Sequence, residues 1–316
     1  MTPLFDRLTL IGAGLIGSSI ARGVLHRSLA RRIVVADASE TVRGRVTALG
    51  LADEVTGDLA AAVAGADCVI LCVPVGANAA VAEAIGRYLK PGAIVSDVGS
   101  VKAAVVRDVA PHLPAGVHFV PAHPVAGTEY SGPDAGFATL FENRWSILTP
   151  PEGQDAGAVE TMTRFWQGLG SNVEVMEASH HDLVLAITSH VPHLIAYNLV
   201  GTAYDLESVV ESEVIKFSAG GFRDATRLAA SDPTMWRDVF LNNRTAVLEM
   251  VARFQEDLAA LSRMIRWGDG EGLHDLFTRT RAVRRSIIAS GQDTAAPNFG
   301  RTDGSGMPAV DGRESE

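Results

Sequence analysis

Between residues 8 and 37 the chain reads LTLIGAGLIGSSIARGVLHRSLARRIVVAD, an order of residues that few folds can take. An apolar run, Leu8–Ile11, meets Gly12-Ala13-Gly14-Leu15-Ile16-Gly17. A helical pattern follows, then a second apolar run, Ile33-Val34-Val35, that ends on Asp37. Strand, glycine turn, helix, strand and acid in succession are the layout of a dinucleotide site. Gly12 allows the tight turn, Gly14 lets a pyrophosphate approach the backbone, and Gly17 lets the helix pack close to the sheet. The opening of the helix offers free N–H groups and a partial positive charge to the phosphates. Asp37 can hydrogen-bond both ribose hydroxyls and repels a 2′-phosphate, which favours NAD over NADP. Arg43 and Arg45 follow closely and temper that preference.

The alternation continues. Strand-like runs recur at Leu8–Ile11, Ile33–Ala36, Cys68–Val73, Ile94–Val98, Phe119–Pro121 and Trp145–Leu148. Helical patterns lie between them at Gly17–Arg27, Glu40–Leu49, Asn78–Tyr88 and Ala103–Ala110. Alternating strands and helices with short loops predict an α/β domain on a doubly wound parallel sheet. A helix at 156–169 and a short strand at 173–176 complete it, which sets residues 1–178 as the first domain. From 179 to 290 the pattern is helical throughout, with segments at 180–201, 205–216, 222–229, 233–267 and 271–289. The long one carries Val247, Val251, Phe254, Leu258, Leu261 and Ile265 at alternating spacings of four and three. That narrow stripe packs either inside an all-helical domain or against a second subunit; so small a domain buries it better as a homodimer. Residues 291–316 are rich in Gly, Asp, Ser and Pro and read as a disordered tail.

The formal net charge of −10 argues against nucleic acid or an anionic membrane as partner, and an anionic substrate would need a local cluster of Arg and His. Cys68 and Cys72, the only cysteines, sit in the apolar run ADCVILCVPV and read as buried strand residues in a reducing compartment. The N-terminus runs straight into the first strand, and no stretch of eighteen apolar residues occurs. The expectation is a cytoplasmic protein.

Four clusters could carry chemistry. Asp97-Val98-Gly99-Ser100-Val101-Lys102 follows a strand, where ligands of an open parallel sheet bind; Ser100 meets a ligand there or caps a helix. Pro121-Ala122-His123-Pro124 follows another. His123, held between two prolines, suits either a fixed general base or a structural role. Ser189-His190-Val191-Pro192-His193 lies in a helical pattern, with Pro192 interrupting it. His190 and His193 share a face, but no Cys, Asp or Glu pattern completes a metal site, so none is expected. Finally, Gly220-Gly221-Phe222-Arg223-Asp224-Ala225-Thr226-Arg227 precedes Ser231-Asp232-Pro233-Thr234-Met235-Trp236. Arg227 could fork onto a carboxylate there, or pair with Asp224 or Asp232.

Together the stretches IGAGLIGSSIA, DVGSVK, AHPVAGTEYSG, SHVPH and GGFRDATRLAASDPTMW resemble the prephenate and arogenate dehydrogenases of tyrosine biosynthesis, in family order from about residue 8 to 290. The resemblance implies a Rossmann-type domain followed by an all-α dimerisation domain. It implies oxidative decarboxylation of a cyclohexadienyl ring, with hydride passing to NAD and carbon dioxide leaving. His123 then accepts the hydrogen bond of the ring 4-hydroxyl and Ser100 orients it. Arg227 partners a substrate carboxylate, while Ser189, His190, His193, Thr128, Ser231 and Trp236 complete the pocket. Leu15, Ile16, Val73 and Pro74 join Gly12, Gly14, Gly17 and Asp37 around the cofactor. Glu129, Asp182 and Arg223 resemble an ion-pair group near the mouth of the site. Residues 1–7 and 291–316 are too short for the regulatory or mutase domains that some relatives carry, so neither is expected.

Two other readings compete. A β-hydroxyacid-type dehydrogenase of similar plan would need a catalytic lysine, and the chain offers Lys90, Lys102 and Lys216 alone. A non-catalytic NAD-binding protein would keep the glycines but have no use for His123, Ser100 and Arg227 together.

Overall fold

The computed structural model describes residues 2–128, 130–207, 216 and 219–289. The chain forms two compact units, Met1–Val247 and Leu248–Glu316.

In the first unit, β1 (Phe5–Ile11), β2 (Ala30–Ala36), β3 (Glu54–Thr56), β4 (Cys68–Leu71), β5 (Ile94–Asp97) and β6 (His118–Phe119) form one sheet in the order β3-β2-β1-β4-β5-β6. All five pairings are parallel. Parallel strands are covered on both faces, which is why they read as unbroken Val and Ile runs. Alternate side chains divide between two cores. Leu8, Leu10, Ile33, Val35 and Ile70 pack with Ile20 and Val24 of α1 (Leu15–Arg27) and with Phe165 and Trp166. Ile11, Val34, Val69, Leu71 and Val95 face the other way. They meet residues of α3 (Leu59–Val63), α4 (Asn78–Gly86) and α5 (Lys102–Val109). Helix α2 (Glu40–Ala48) links β2 to β3. The strand order reverses between β1 and β4, and a crevice at such a point opens beyond the strands' carboxyl ends.

Sequence and structure part company after β5. The expected strand Phe119–Pro121 is instead the end of β6, and the chain crosses at Val120-Pro121 into a second sheet. There β7 (Ala122–Pro124) pairs antiparallel with β8 (Trp145–Leu148), and β8 runs parallel to β9 (Asn172–Val175), with α6 (Ala156–Gly168) between them. His123 therefore lies in a strand, not a loop. Its strand is an edge, where the missing N–H of Pro124 is tolerated. The short elements β3 and α3 carry too little periodicity to be read from the sequence.

From His180 onward the described residues contain no strand. Helix α7 (Ala178–Leu185) passes through a π turn, Ala186–His190, into α8 (Val191–Glu207). The widened turn, closed by Val191 N–H on the Ala186 carbonyl, sits just before Pro192, which has no N–H to offer Thr188. The run Ala178–Leu206 holds an 18-residue window of mean hydropathy 1.4, long and apolar enough by composition alone to cross a membrane. Of its polar residues, His181, Asp182 and His190 are buried. Then come α9 (Gly220–Thr226), a 3₁₀ turn at Arg227–Ala230, α10 (Pro233–Asn242), α11 (Arg244–Trp267) and α12 (Gly270–Ala289). The single helix expected over 233–267 is thus broken at Asn243, whose φ of −104° and ψ of 32° leave the helical region. Most of the segment expected at 205–216, and the tail 291–316, lie outside the described residues.

The second unit, taken by itself, has no buried residue among those described. Phe254, Leu258, Ile265, Trp267, Phe277 and Val283 are exposed on its helices.

Candidate active site

The glycine turn closes with Gly12 N–H on the Ala36 carbonyl at 2.8 Å. Gly12 has φ +97°, and a Cβ there would fall 2.5 Å from the Cys72 carbonyl oxygen. A Cβ on Gly17 would fall 2.1 Å from the Gly12 carbonyl oxygen. Both positions exclude side chains by contact with backbone. Gly14 is different: a Cβ there would meet nothing within 4 Å. It N-caps α1 without a side-chain hydrogen bond, and the first turn holds no acid. The helix therefore presents its first N–H groups, at Leu15 and Ile16, beside open space, an arrangement that fits a pyrophosphate. Val73, beyond β4, comes within 3.3 Å of the Gly12 position, and Pro74 beside it is exposed.

Asp37 accepts from Ala13 N–H and Ser39 N–H, each at 2.9 Å, so the acid is tied to the turn it follows. Of the nearby arginines, one is tied to the backbone beside the acid and one is held on another carboxylate. Arg43 donates to the Asp37 and Ala38 carbonyls at 2.8 and 2.9 Å, and Arg45 forks onto Asp134 at 2.8 and 3.0 Å.

A chain of buried polar groups runs behind His123. His123 Nδ1 lies 2.8 Å from His181 Nε2, and His181 Nδ1 lies 2.8 Å from Asp182 Oδ1. Asp182 also accepts from Lys102 N–H at 2.7 Å and Ala103 N–H at 2.9 Å. These are the opening amides of α5, whose N-cap, Val101, has no capping side chain. A carboxylate from another helix thus supplies the cap and meets the positive helix end. Ser100, read above as ligand contact or cap, is therefore not the cap; it is half-buried one residue earlier. Asp182, expected at the mouth of the site, is buried instead. Arg223 is exposed and pairs with Asp224, while Glu129 lies outside the described residues.

The hydrogen bonds fix the protons. An ionised Asp182 only accepts, so His181 carries its proton on Nδ1. The bare Nε2 of a neutral His181 must accept from His123 Nδ1–H, which leaves the His123 Nε2 lone pair free. Burial first, then the neighbouring His181, Lys102 and His190, hold the His123 imidazole well below its ordinary range. Burial likewise holds His181 low, against the pull of Asp182. Both rings are neutral near pH 7, and His123 is an acceptor.

Beneath them, Lys102 and Asp97 are completely buried as an ion pair. Lys102 Nζ also donates to the Ala122 carbonyl at 2.7 Å, and Asp97 accepts from Gly99 N–H at 2.7 Å and Ala122 N–H at 3.1 Å. The pair pins the residue next to His123 to the end of β5. Lys102 is thus wholly engaged, and Lys90 bonds Asp67, so neither offers the free ammonium that a lysine-based dehydrogenase needs.

A second group gathers around Trp236, which is buried on α10. His193 stacks on it with ring centroids 3.5 Å apart, and His190 meets it edge-on at 6.0 Å. His193 Nδ1 lies 2.8 Å from the Ser189 carbonyl, and the charge of exposed Arg227 reaches His193. Ser189 and Ser231 are half-buried, and the Ser231 carbonyl accepts from Tyr197 Oη at 2.7 Å. Thr128 is half-buried and accepts from Tyr130 N–H at 3.3 Å. No described His, Cys, Asp and Glu side chains cluster as a metal site. Sequence reasoning passed over His181 and Asn243 as parts of the site. The triplet His180-His181-Asp182 at the start of a helix was the one local signal for the first.

Two family models match the chain: prephenate dehydrogenase, nucleotide-binding domain, over residues 20–175, and prephenate dehydrogenase, dimerization domain, over 177–279. The first match begins within α1, past the glycine turn. A cyclohexadienyl dehydrogenase of Zymomonas mobilis is 43% identical over 284 residues, covering 90% of this chain and 97% of the relative. The fold is similar to a crystal structure of prephenate dehydrogenase from A. aeolicus in complex with hydroxyphenyl propionate and NAD+, with TM-score 0.84 and 32% identity, covering 89% and 98% of the two chains. Arogenate dehydrogenase from Synechocystis is similar at TM-score 0.75 and 26% identity, covering 89% and 99%.

Proposed function

The chain belongs to the prephenate dehydrogenase family, and on that footing we propose that it oxidatively decarboxylates a cyclohexadienyl acid in tyrosine biosynthesis. The substrate is prephenate, giving 4-hydroxyphenylpyruvate, or arogenate, giving tyrosine, or both. The observation that carries the reading is the chain Asp182–His181–His123, which leaves one aligned, neutral imidazole nitrogen as acceptor. When bound at the α1 N-terminus, NAD supplies the hydride acceptor. His123 Nε2 takes the ring hydroxyl proton as hydride leaves the carbinol carbon, with Ser100 orienting the hydroxyl. The bond to the ring carboxylate then breaks, its electron pair enters the ring, and carbon dioxide departs. The proton returns to the phenol oxygen, so none is released overall. Arg227 forks onto a side-chain carboxylate of the substrate. Ser189, His190, His193, Thr128, Ser231 and Trp236 line the pocket.

Gly12, Gly14, Leu15, Ile16, Gly17, Asp37, Val73 and Pro74 hold the dinucleotide. NAD is preferred to NADP, a reading supported by the Asp37 carboxylate after β2 and by the engagement of Arg45 with Asp134, while Arg43 is tied to the Asp37 and Ala38 carbonyls. Residues 1–178 bind the cofactor and 179–290 make an all-helical dimerisation domain, a division supported by the adjoining family matches. The exposed apolar side chains of α11 and α12 support a homodimer. Two free cysteines and the acidic charge fit a cytoplasmic enzyme with neither nucleic acid nor membrane as partner.

A spectrophotometric assay tests the reading. Nicotinamide reduction with prephenate or arogenate, without added metal, is the expected result; silence with both removes it. Repeating it with NAD and NADP on Asp37→Ala should show the preference relaxed.

A further inference from the structure

His190 offers a ligand something the other histidines of the site do not. Its ring is completely buried on the π turn. Asn243, buried at the break between α10 and α11, places its amide nitrogen 2.8 Å from the Asp182 carbonyl oxygen and 3.1 Å from His190 Nδ1. A carbonyl oxygen only accepts, so the Asp182 contact decides which end of the Asn243 amide is nitrogen. That nitrogen has a second hydrogen, and it meets His190 Nδ1. Nδ1 must then be the bare, accepting nitrogen. Burial is the main reason that the His190 pKa falls to about 4, so the ring is neutral near pH 7. A neutral ring without a proton on Nδ1 carries it on Nε2. Nε2 is buried and makes no close hydrogen bond, although the Ser100 backbone lies near enough to the ring to favour its protonated form.

We infer that Asn243 is a positioning residue that locks His190 in its Nε2–H form, so that a buried N–H faces an oxygen acceptor of a bound ligand. This rests on the placement of His190 in the proposed pocket. Trp236 Nε1–H, on the ring edge-on to His190, is a second buried donor that completes no hydrogen bond. Two such donors call for a carboxylate or carbonyl oxygen and would repel an ammonium. His193 has the opposite polarity. Its Nδ1–H is spent on the Ser189 carbonyl, so its Nε2 accepts. The oxygen that His190 meets comes from the substrate or from the nicotinamide carboxamide, and the test separates the two.

Long-range nitrogen–proton spectra of the histidine-labelled protein read the tautomer directly, with His190 assigned through its missing signals in His190→Gln. The wild type should show a bare Nδ1 and a protonated Nε2 at neutral pH. NAD alone and hydroxyphenyl propionate alone are then added; whichever shifts the Nε2–H signal supplies the oxygen. Asn243→Ala should mix the two tautomers and weaken binding of that same probe by about tenfold, the worth of one hydrogen bond. Asn243→Ser, which keeps a donor, should restore most of both. A wild-type His190 protonated on Nδ1 overturns the inference, as does Asn243→Ala with unchanged tautomer and affinity. The expected tautomer with no response to either probe overturns the ligand contact and the placement of His190 in the pocket. Failure of the enzymatic reading shows separately, as no nicotinamide reduction with either cyclohexadienyl acid.

Discussion

In the proposed reaction His123 is the residue on which the chemistry turns, and its partners make its effect measurable. His123→Asn removes the acceptor while leaving the glycine turn intact. Turnover should fall by roughly 10²–10⁴, with NAD affinity measured by calorimetry unchanged. The ion pair Lys102–Asp97 sets the conditions under which His123 works. Burial first, then His181, Lys102 and His190, press its pKa down, so the ring stays a neutral base at pH values below the ordinary imidazole range. Breaking the pair with Lys102→Met alone leaves a buried carboxylate unmatched and should cost about 3–5 kcal/mol in chemical denaturation. The double change Asp97→Asn with Lys102→Met removes both charges and spares most of that stability. With one downward influence gone, the pKa of His123 rises, so the acid limb of kcat/KM should move to higher pH. A lower rate with an unmoved limb would show that the pair is structural only. His123, Ser100 and Arg227 stand out in the sequence because loops and breaks flank them. His181 and Asp182 do not, since the amides that Asp182 caps are 79 and 80 residues away in the chain.

Among the elements, the turn between β1 and α1 was readable almost in full, because its logic is local. Gly12, Gly17 and Asp37 are related by spacing, and each bonds or abuts backbone of the same stretch, although the carbonyl that bars a side chain at Gly12 belongs to Cys72. Gly17→Ala tests how tightly. A methyl group 2.1 Å from a carbonyl oxygen cannot be housed without shifting the helix from the strand. NAD affinity should fall by at least tenfold, while Gly14→Ala, which meets open space in the protein itself, should fold normally and lose affinity only through the ligand. The π turn and the break at Asn243 were not readable. Pro192 signals an interruption but not its form, and nothing within 233–267 marks Asn243, whose partners lie 53 and 61 residues earlier. The crossing from β6 to β7 was misread for a related reason. Val120 and Pro121 are as apolar as the strand before them, and only pairing with β8 shows that the chain has changed sheets.

For the whole molecule, the second unit argues for assembly. It exposes Phe254, Leu258, Phe277 and Val283, and none of its described residues is buried. Burying such side chains is worth about 1.5–3 kcal/mol each, and a second copy is the occupant that the dimerization-domain match supports. Sedimentation should give a dimer for the native chain and a shift toward monomer for Leu258→Glu with Phe277→Glu. An unchanged dimer would place the interface elsewhere. The heptad-like spacing announced this stripe in the sequence, and the small size of the helical domain its exposure on a single chain.

The cap that Asp182 provides reaches beyond stability. The two family matches meet near residue 176, yet the acceptor, His123, stands on one side of that seam, and the residues that orient it, His181 and Asp182, stand on the other. Recombination between relatives at this seam therefore exchanges half of a proton relay together with a helix cap. Hybrids in which an incoming carboxylate misses the Lys102 and Ala103 amides should still bind nucleotide but leave the imidazole unaligned. Interchangeability of the two halves is limited by one carboxylate.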